Sequence, residues 1–218
     1  MSPLPEEISL VYKEIQKEVL TLHIKWNIYR QLYAHSEERI NVLNKCAPLF
    51  FALMQDILWD NVLLSINRLS DPPESRRGNN LSIAQLHKRV KKSIDENTSI
   101  KICRILSSFK NISNNNFVPH RNKRIAHFDL NLSISEKVHS LPEISREKIE
   151  TALYLIREYL NTIENYFDLG EVLYKDVIVN DDAEDLIDIL EKGLGYQDNL
   201  MEQLKKRLES LQRMSEKL

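Results

Sequence analysis

Glycine is scarce in this sequence, with 4 residues among 218, and proline is modest at 7. Sandwiches and barrels of β-strands depend on many turns rich in glycine and proline, so the composition argues against them and favours long helices. No alternation of polar and apolar residues extends far enough to predict a strand, and no glycine-rich loop is present to cradle a phosphate. The sequence therefore predicts an all-α fold.

Cysteine and long apolar runs are also nearly absent. Cys46 and Cys103 lie among apolar neighbours without metal-ligand spacing, so we expect two buried thiols in a reducing compartment. The opening residues, MSPLPEEISL, lack the basic and apolar regions of a signal peptide. No run approaches the roughly 18 apolar residues of a membrane span. We expect a soluble, cytoplasmic protein that has no contact with a membrane.

Acidic residues are missing from one long part of a chain whose formal net charge is only −2. Residues 76–127 contain twelve Lys or Arg against two acids, a local charge of +10 that leaves −12 for the remainder. No residue between Asn97 and Phe128 is acidic. Such a region is either a surface for a polyanion or a patch that the acidic C-terminal helices fold back to neutralise.

Apolar periodicity places the helices. A first helix near residues 5–34 carries an apolar stripe that steps alternately by four and three positions: Ile8, Tyr12, Ile15, Val19, Leu22, Trp26, Tyr29 and Tyr33. A second helical region, about 36–69, is apolar nearly all round, which predicts burial on several sides. Pro48 predicts a kink or a boundary within that region. Further helices are predicted over about 82–95, 98–112 and 145–167.

The C-terminal part, about 181–216, has a heptad track of apolar residues that Gly193 and Gly195 could divide into two helices. We expect one helical bundle domain over residues 1–175, followed by a helical extension over residues 176–218. The extension packs either on the same domain or on the second chain of a dimer.

The stretch RNKRIAHFD (121–129) concentrates cationic side chains: Arg121, Lys123, Arg124 and His127. The preceding SNNN (113–116) predicts a break in the chain. Pro119 then suits the first turn of a new helix, because its fixed φ fits there and its missing N–H is not needed. The sequence predicts a motif helix over about 118–129, which is either a solvated basic face or a site that handles phosphate.

An imidazole beside guanidinium groups can both bind and cleave a phosphodiester. Transesterification of RNA needs a base for the 2′-hydroxyl proton and a cation to offset charge on the phosphorane, and His127 and Arg121 fit these needs. The reaction needs no metal or other cofactor, and the nearby acids do not form a ligand set. Six residues of a straight helix turn through about 600°, so the two side chains point about 120° apart. One helix alone therefore does not clamp a small group between them.

The neighbouring polar residues have open roles. Lys123, Arg124 and His120 are candidates for RNA or phosphate binding, although the position of His120 directly after Pro119 favours a residue at the start of a helix. Asp129 either orients His127 or pairs with Arg124. The alternative to a site is a basic solvated surface with a partly buried histidine.

The stretch RNKRIAH resembles the Arg-x(4–6)-His signature of the HEPN superfamily, in which a polar residue such as Asn122 often follows the arginine. The order of segments over residues 35–170 is also similar to the abortive-infection, AbiU-like branch of that superfamily. An apolar helix ends in LLSINRLSDPP, and a loop, NLSIAQL, a helix, the motif helix and a further long helix follow.

The resemblance implies a HEPN-like helical bundle with a long N-terminal helix, which dimerises so that both motifs face one cleft. Arg121 and His127 are then catalytic and Asn122 supports them. It implies a metal-independent endoribonuclease in antiphage defence or a toxin–antitoxin system, with RNA as substrate and an antitoxin or defence protein as partner. Some toxin members carry a modifiable Tyr two residues after the histidine, where this chain has Asp129, so that route of silencing is not expected here.

Two other functions are compatible with the same sequence. The fold could hold RNA or a nucleotide without cutting it, or it could be a scaffold that assembles proteins through its terminal heptads. Both functions retain the helical bundle. They differ from an endoribonuclease only in the roles of the motif and of the C-terminal heptads.

Overall fold

The computed structural model describes residues 4–76, 78–125, 141–170, 172–175 and 182–215. Its helices are α1 (Glu6–Tyr33), α2 (Glu37–Cys46), α3 (Pro48–Ser70), α4 (Ile83–Val90), α5 (Glu96–Ile112), α6 (Val118–His120), α7 (Arg146–Phe167) and α8 (Ala183–Ser215). Two π-helical segments, Ser113–Phe117 and Arg121–Ile125, flank α6. Two short strands, β1 (Glu74–Ser75) and β2 (Gly78–Asn79), pair in antiparallel orientation. The predicted all-α class is confirmed.

The chain divides into two compact units. The first comprises the described residues within Met1–Trp26 and Leu58–Ile178, and the second those within Asn27–Ile57 and Val179–Leu218. The boundary between the units falls inside α1 and inside α3. The expected sequence boundary near residue 175 stays a prediction.

The predicted stripe of α1 supplies much of the core. Seven of its eight members are buried, and only Tyr33 at the C-terminal end of the helix is partly exposed. In the first unit, the Nε1–H of Trp26 donates to the Glu150 carboxylate at 2.7 Å, which satisfies the polar end of a buried indole. Helix α5 packs mainly against α7, whose inner face is fully buried at Ile149, Ala152, Leu153, Ile156, Leu160 and Ile163.

Helix α3 begins at Pro48, directly after the C-terminal cap of α2 at Ala47, so the boundary predicted at this proline is confirmed. Its C-terminal half is buried in the first unit, at Val62, Leu63, Ile66 and Leu69. The expectation of burial on several sides is wrong for the N-terminal half, because no described element covers one side of it. There the exposed fraction is 55–73% for Leu49, Phe50, Leu53 and Ile57.

Length and composition would allow α3 to cross a membrane, and among the described residues it is the one helix of which this is true. This is weak evidence, since the core helix of a soluble protein passes the same test. The buried C-terminal half of α3 has the environment of such a core helix.

The two cysteines differ from the expectation of buried thiols, since Cys46 is half-buried and Cys103 is exposed. On α5 the buried positions are Ile102, Leu106 and Phe109. Cys103 follows Ile102 by about 100° of helix rotation, which turns it away from that face. Apolar neighbours in sequence do not bury a residue on the outer side of an amphipathic helix.

A buried carboxylate of the first unit connects α7 with α1 and with the segment 172–175. Glu164 of α7 is 2% exposed, and its Oε1 accepts a hydrogen bond from the Tyr12 hydroxyl of α1 at 2.6 Å and another from the Tyr174 hydroxyl. Burial and the bond to Glu164 raise the pKa of both tyrosines, so both hydroxyls keep their protons. The two donors stabilise an acid that would otherwise be costly to bury.

His23 is a second buried polar residue of the first unit, 2% exposed. Burial, followed by the positive charge of Arg157, lowers the pKa of His23 to about 4. Because this value lies below the ordinary pKa of about 6.5, the folded protein keeps the ring neutral while the unfolded chain protonates it. The stability that depends on the neutral ring is complete above pH 6.5 and is lost as the pH falls towards 4.

We expect the free energy of unfolding to fall by about 3 kcal/mol between pH 6.5 and pH 4 through this residue, at roughly 1.4 kcal/mol per pH unit. Urea unfolding at several pH values measures the fall, and His23→Gln should flatten it. His35→Gln, at an exposed position, is the matched control and should keep the wild-type slope. Equal slopes for His23→Gln and the wild type would contradict the assignment.

Candidate functional site

The described motif residues, Arg121–Ile125, lie on a helix that continues from α5 without a break. The predicted break at SNNN is wrong, because residues 112, 113, 117, 118 and 121 all have right-handed helical φ and ψ. The asparagine side chains bond to groups one turn earlier in the same helix. The Asn116 amide donates to the Ile112 carbonyl at 2.8 Å, and the Asn115 amide donates to the Asn111 side chain.

Pro119 gives a physical reason for the π-helical segments around it. Proline has no N–H to donate, and in a regular α-helix its ring clashes with the carbonyl four residues earlier. A wider turn, with hydrogen bonds between residues five apart, relieves that clash while the helix continues. The sequence correctly predicts a helix around Pro119, but not one that continues from α5.

Helix α3 anchors the first π-helical segment. The side-chain amide of Asn67, which is fully buried, donates to the Phe117 carbonyl at 3.2 Å and to the Leu63 carbonyl at 2.8 Å. The Ser113 hydroxyl donates to the Ser70 hydroxyl at 2.7 Å. These hydrogen bonds satisfy the Phe117 carbonyl and the Ser113 hydroxyl. They hold the first π-helical segment, which leads into the motif, against α3.

Arg121 lies on the second π-helical segment, with a side chain about a quarter exposed. Its Nη1 donates to the Asp71 carboxylate at 2.6 Å, and its Nε donates to the Asn122 side-chain oxygen at 3.1 Å. Asn122 therefore contacts Arg121, while its supporting role in catalysis stays a prediction. These two bonds hold the guanidinium in one orientation.

Arg124 has an acidic partner of its own. Its Nη2 donates to the Asp60 carboxylate of α3 at 2.5 Å, and both side chains are partly exposed. Asn122 and Lys123, between the two arginines, are exposed. The described part of the motif thus presents two oriented guanidinium groups and one exposed ammonium, three donors that suit phosphate oxygens.

His120 is turned inward. It is 9% exposed, and its Nε2 lies 2.7 Å from the Pro142 carbonyl oxygen. A carbonyl only accepts, so Nε2 carries the proton in this bond. The structure thereby gives His120 a role in joining the motif segment to the residues before α7, while its predicted contact with RNA stays a prediction.

His127 and Asp129 lie outside the described residues. The convergence of His127 with Arg121, and both alternatives for Asp129, therefore stay predictions. The same holds for the end of the motif helix beyond Ile125.

A cavity of about 210 Å³ lies beside the Arg121–Asp71 ion pair in the first unit, because Asp71 forms part of its wall. The other lining residues are Glu18, Arg68, Leu69, Asn80 and Leu81. Arg68 and Glu18 approach each other to 3.9 Å, and the Asn80 amide donates to the Pro72 carbonyl. Polar groups of both signs thus lie next to the oriented guanidinium.

The motif arginines are compensated in the isolated chain. Among the described residues each arginine pairs with a carboxylate, Arg121 with Asp71 and Arg124 with Asp60. A phosphate that approaches Arg121 or Arg124 must compete with Asp71 or Asp60. In the part of the chain that the structure describes, no group of three or more His, Cys, Asp or Glu side chains is placed to hold a metal ion.

Asp60 and Asp71 are absent from the sequence predictions. Asp60 gives a weak signal, as an acid inside the apolar run LFFALMQDILWDNVLLSI. Asp71 follows α3 in a loop that is rich in proline and asparagine. An aspartate in such a loop is an ordinary turn residue and gives no signal of a site. Only the antiparallel contact of α3 with the motif segment makes the two acids partners of the two arginines.

The described residues form helices that present an arginine, an adjacent asparagine and further cations along one segment, as the resemblance to the HEPN superfamily implies. The family model HEPN_AbiU2, described as AbiU2, matches residues 6–186, and the chain belongs to this family. The resemblance to the abortive-infection branch is therefore confirmed. No curated protein and no solved structure matches the chain.

Proposed function

We propose that this protein is an endoribonuclease of the HEPN type, which cleaves RNA by transesterification in antiphage defence or in a toxin–antitoxin system. The observation that carries the proposal is the pairing of each motif arginine with its own carboxylate, Arg121 with Asp71 and Arg124 with Asp60, on a segment anchored to α3. A guanidinium that is held in one orientation is preorganised to offset negative charge that develops on a phosphate. Membership of the AbiU2 family supports the same function.

The chemistry follows from the groups in the motif. His127, by resemblance to the family motif, accepts the proton of the 2′-hydroxyl while the 2′-oxygen attacks the adjacent phosphorus. The bond from phosphorus to the 5′-oxygen breaks, and that oxygen takes up a proton. Arg121 offsets the negative charge that develops on the phosphorane. The products are a 2′,3′-cyclic phosphate and a 5′-hydroxyl end, and the reaction needs no metal.

A second copy of the chain completes the site in this proposal. On a straight α-helix, an arginine and a histidine six residues apart do not reach the same small group, whereas two motifs facing one cleft would supply two such sets to one phosphate. RNA, the homodimer and an antitoxin or defence partner belong to the proposal, together with a cytoplasmic location.

The ion pairs of the site affect how RNA binds. Phosphate oxygens replace Asp71 and Asp60 as acceptors for the two arginines, so part of the binding free energy offsets the loss of those pairs. Within the part of the chain that the structure describes, Lys123 has no carboxylate partner, and it contributes a screened, non-specific attraction. Binding should therefore weaken steeply with salt.

The experiment incubates the purified full chain with end-labelled single-stranded RNA in the presence of EDTA, at pH 5 to 9. We expect fragments that end in 2′,3′-cyclic phosphate and 5′-hydroxyl groups, with a pH dependence that includes a group titrating near neutrality. Stable RNA binding without any fragment over this range would replace the proposal by a non-catalytic binding module. Fragments with 5′-phosphate ends would contradict the mechanism.

A further inference from the structure

The C-terminal helix α8 has an apolar face that no other described element covers. Nine large apolar side chains on it are 37–70% exposed: Leu186, Ile189, Tyr196, Leu200, Met201, Leu204, Leu208, Leu211 and Met214. At 100° per residue they fall within about 140° of the helix circumference. The N-terminal turns are the exception, since Ala183 and Ile187 are buried and α8 contacts α2 there.

The charges of α8 are distributed unevenly along its length. Residues 183–198 contain five acids and one base, whereas residues 199–215 contain two acids and four bases. In a parallel pair of such helices, the basic Lys205–Arg207 segments of both chains would lie at the same level and repel each other. In an antiparallel pair, the basic half of each helix lies along the acidic half of the other, and the helix dipoles also oppose each other favourably.

We infer that the apolar face of α8 binds the same face of a second copy of this chain, in antiparallel orientation. One common register pairs three exposed side chains, Met201, Leu204 and Leu208, with Gln197 and the half-buried Leu194 and Leu190 of the partner chain at the edge of that face. In that register the flanking positions bring Glu191 of each chain next to Lys205 of the other, twice by symmetry. The unevenly charged helix is thus complementary to itself only when it is reversed.

An anionic membrane is a poorer occupant of this face. Helix α8 contains seven acids and five bases, a net charge of −2. Amphipathic helices that bind anionic lipid carry mainly Lys and Arg on the polar face. The apolar face is also wider than a strict coiled-coil seam, which suits contact with more than one helix of the second copy.

Analytical ultracentrifugation of the full chain tests the association. We expect the wild type to self-associate at micromolar concentration, and Leu204→Glu/Leu208→Glu to raise the dissociation constant of one association step at least roughly a hundredfold, because four buried carboxylates would meet at the seam. Asn199→Glu/Ser210→Glu adds the same charge on the polar side of α8 and should sediment as the wild type does. A wild type that stays monomeric, with or without binding to anionic vesicles, overturns the inference, as does unchanged association of the seam variant.

A charge-reversal cycle tests the orientation. Glu191→Lys and Lys205→Glu should each weaken association about fivefold, and the double variant should recover most of the combined loss. Glu191 also feels the charge of Arg39 in its own chain, so the coupling between the two changes, rather than either change alone, is the measurement. In a parallel dimer the two positions lie about 21 Å apart along the helix. Independent, additive losses would then overturn the antiparallel arrangement.

Disulfide formation between chains is a second test of whether the two α8 helices are antiparallel. In a Cys46→Ser/Cys103→Ser background, Leu211→Cys should form no disulfide between chains, because the antiparallel register places position 211 opposite position 187. A disulfide dimer of this variant under mild oxidation would show a parallel pair and overturn the inference. RNA cleavage is not a readout of either experiment, so failure here is separate from failure of the proposed ribonuclease.

Discussion

Arg121→Ala is expected to lower the rate of RNA cleavage by about 10² to 10³-fold, the usual cost of removing one group that stabilises charge in a transition state. The change should leave the free energy of unfolding within about 1 kcal/mol of the wild type, because its ion pair with Asp71 is partly exposed. Single-turnover cleavage of a labelled RNA and urea unfolding measure the two effects separately.

The matched control is Arg104→Ala. Arg104 is an exposed arginine of α5 in the same basic region, so its loss removes the same charge from the chain but not from the motif. We expect cleavage by this variant to stay within a few-fold of the wild type. Equal losses for the two variants would mean that Arg121 acts only through the general attraction of RNA to positive charge.

His127→Ala extends the same test to a residue that the structure does not describe. The variant should abolish cleavage and any growth toxicity while the helical content measured by circular dichroism is unchanged. If cleavage survived in His127→Ala and was lost in Arg121→Ala, the base would have to be another group.

A substitution at Asp71 tests how this carboxylate acts on Arg121. Asp71→Asn keeps a hydrogen-bond acceptor next to the guanidinium but removes the competing negative charge. If the carboxylate mainly positions Arg121, the rate constant at saturating RNA should fall. If it mainly competes with phosphate, RNA should bind more tightly. Measuring the rate constant at saturating RNA and the dissociation constant for RNA separately distinguishes the two roles. If the ion pair were only structural, neither constant would change.

Much of the helical architecture is readable from the sequence because one physical signal dominates it. The stripe of α1 steps with the period of a helix, and the same residues are buried in the structure. Pro48 marks a boundary because proline fits only the first turn of a helix. The cationic residues of the motif are also visible as a cluster in the sequence, and Arg121 and Asn122 do contact each other.

The remaining features depend on contacts between residues far apart in the chain. SNNN has the composition of a break, yet its asparagines bond backward to the helix, and α3 supplies Asn67 and Ser70 as further partners. The exposed half of α3 has the same apolar composition as its buried half. Asp60 and Asp71 become part of the site only because α3 lies against the motif segment, which no local pattern reveals.

Phe117→Ala is expected to reduce the free energy of unfolding by about 3–5 kcal/mol, the usual cost of removing a fully buried phenylalanine side chain from a core. Phe117 ends the first π-helical segment, and its carbonyl accepts the Asn67 bond that anchors the motif. Phe50→Ala, at a position that is 57% exposed, is the matched control and should cost less than about 1 kcal/mol. Urea unfolding at a single pH measures both.

The same variant tests whether packing beneath the motif positions Arg121. At a temperature where Phe117→Ala is still folded, the cavity left by the ring should let the segment shift, and cleavage should fall although every motif residue is present. Small misplacements of catalytic groups have large effects on rate, because the productive geometry is narrow. If the folded variant cleaved RNA at the wild-type rate, the ion pairs to Asp60 and Asp71 would suffice to position the arginines without the core below them.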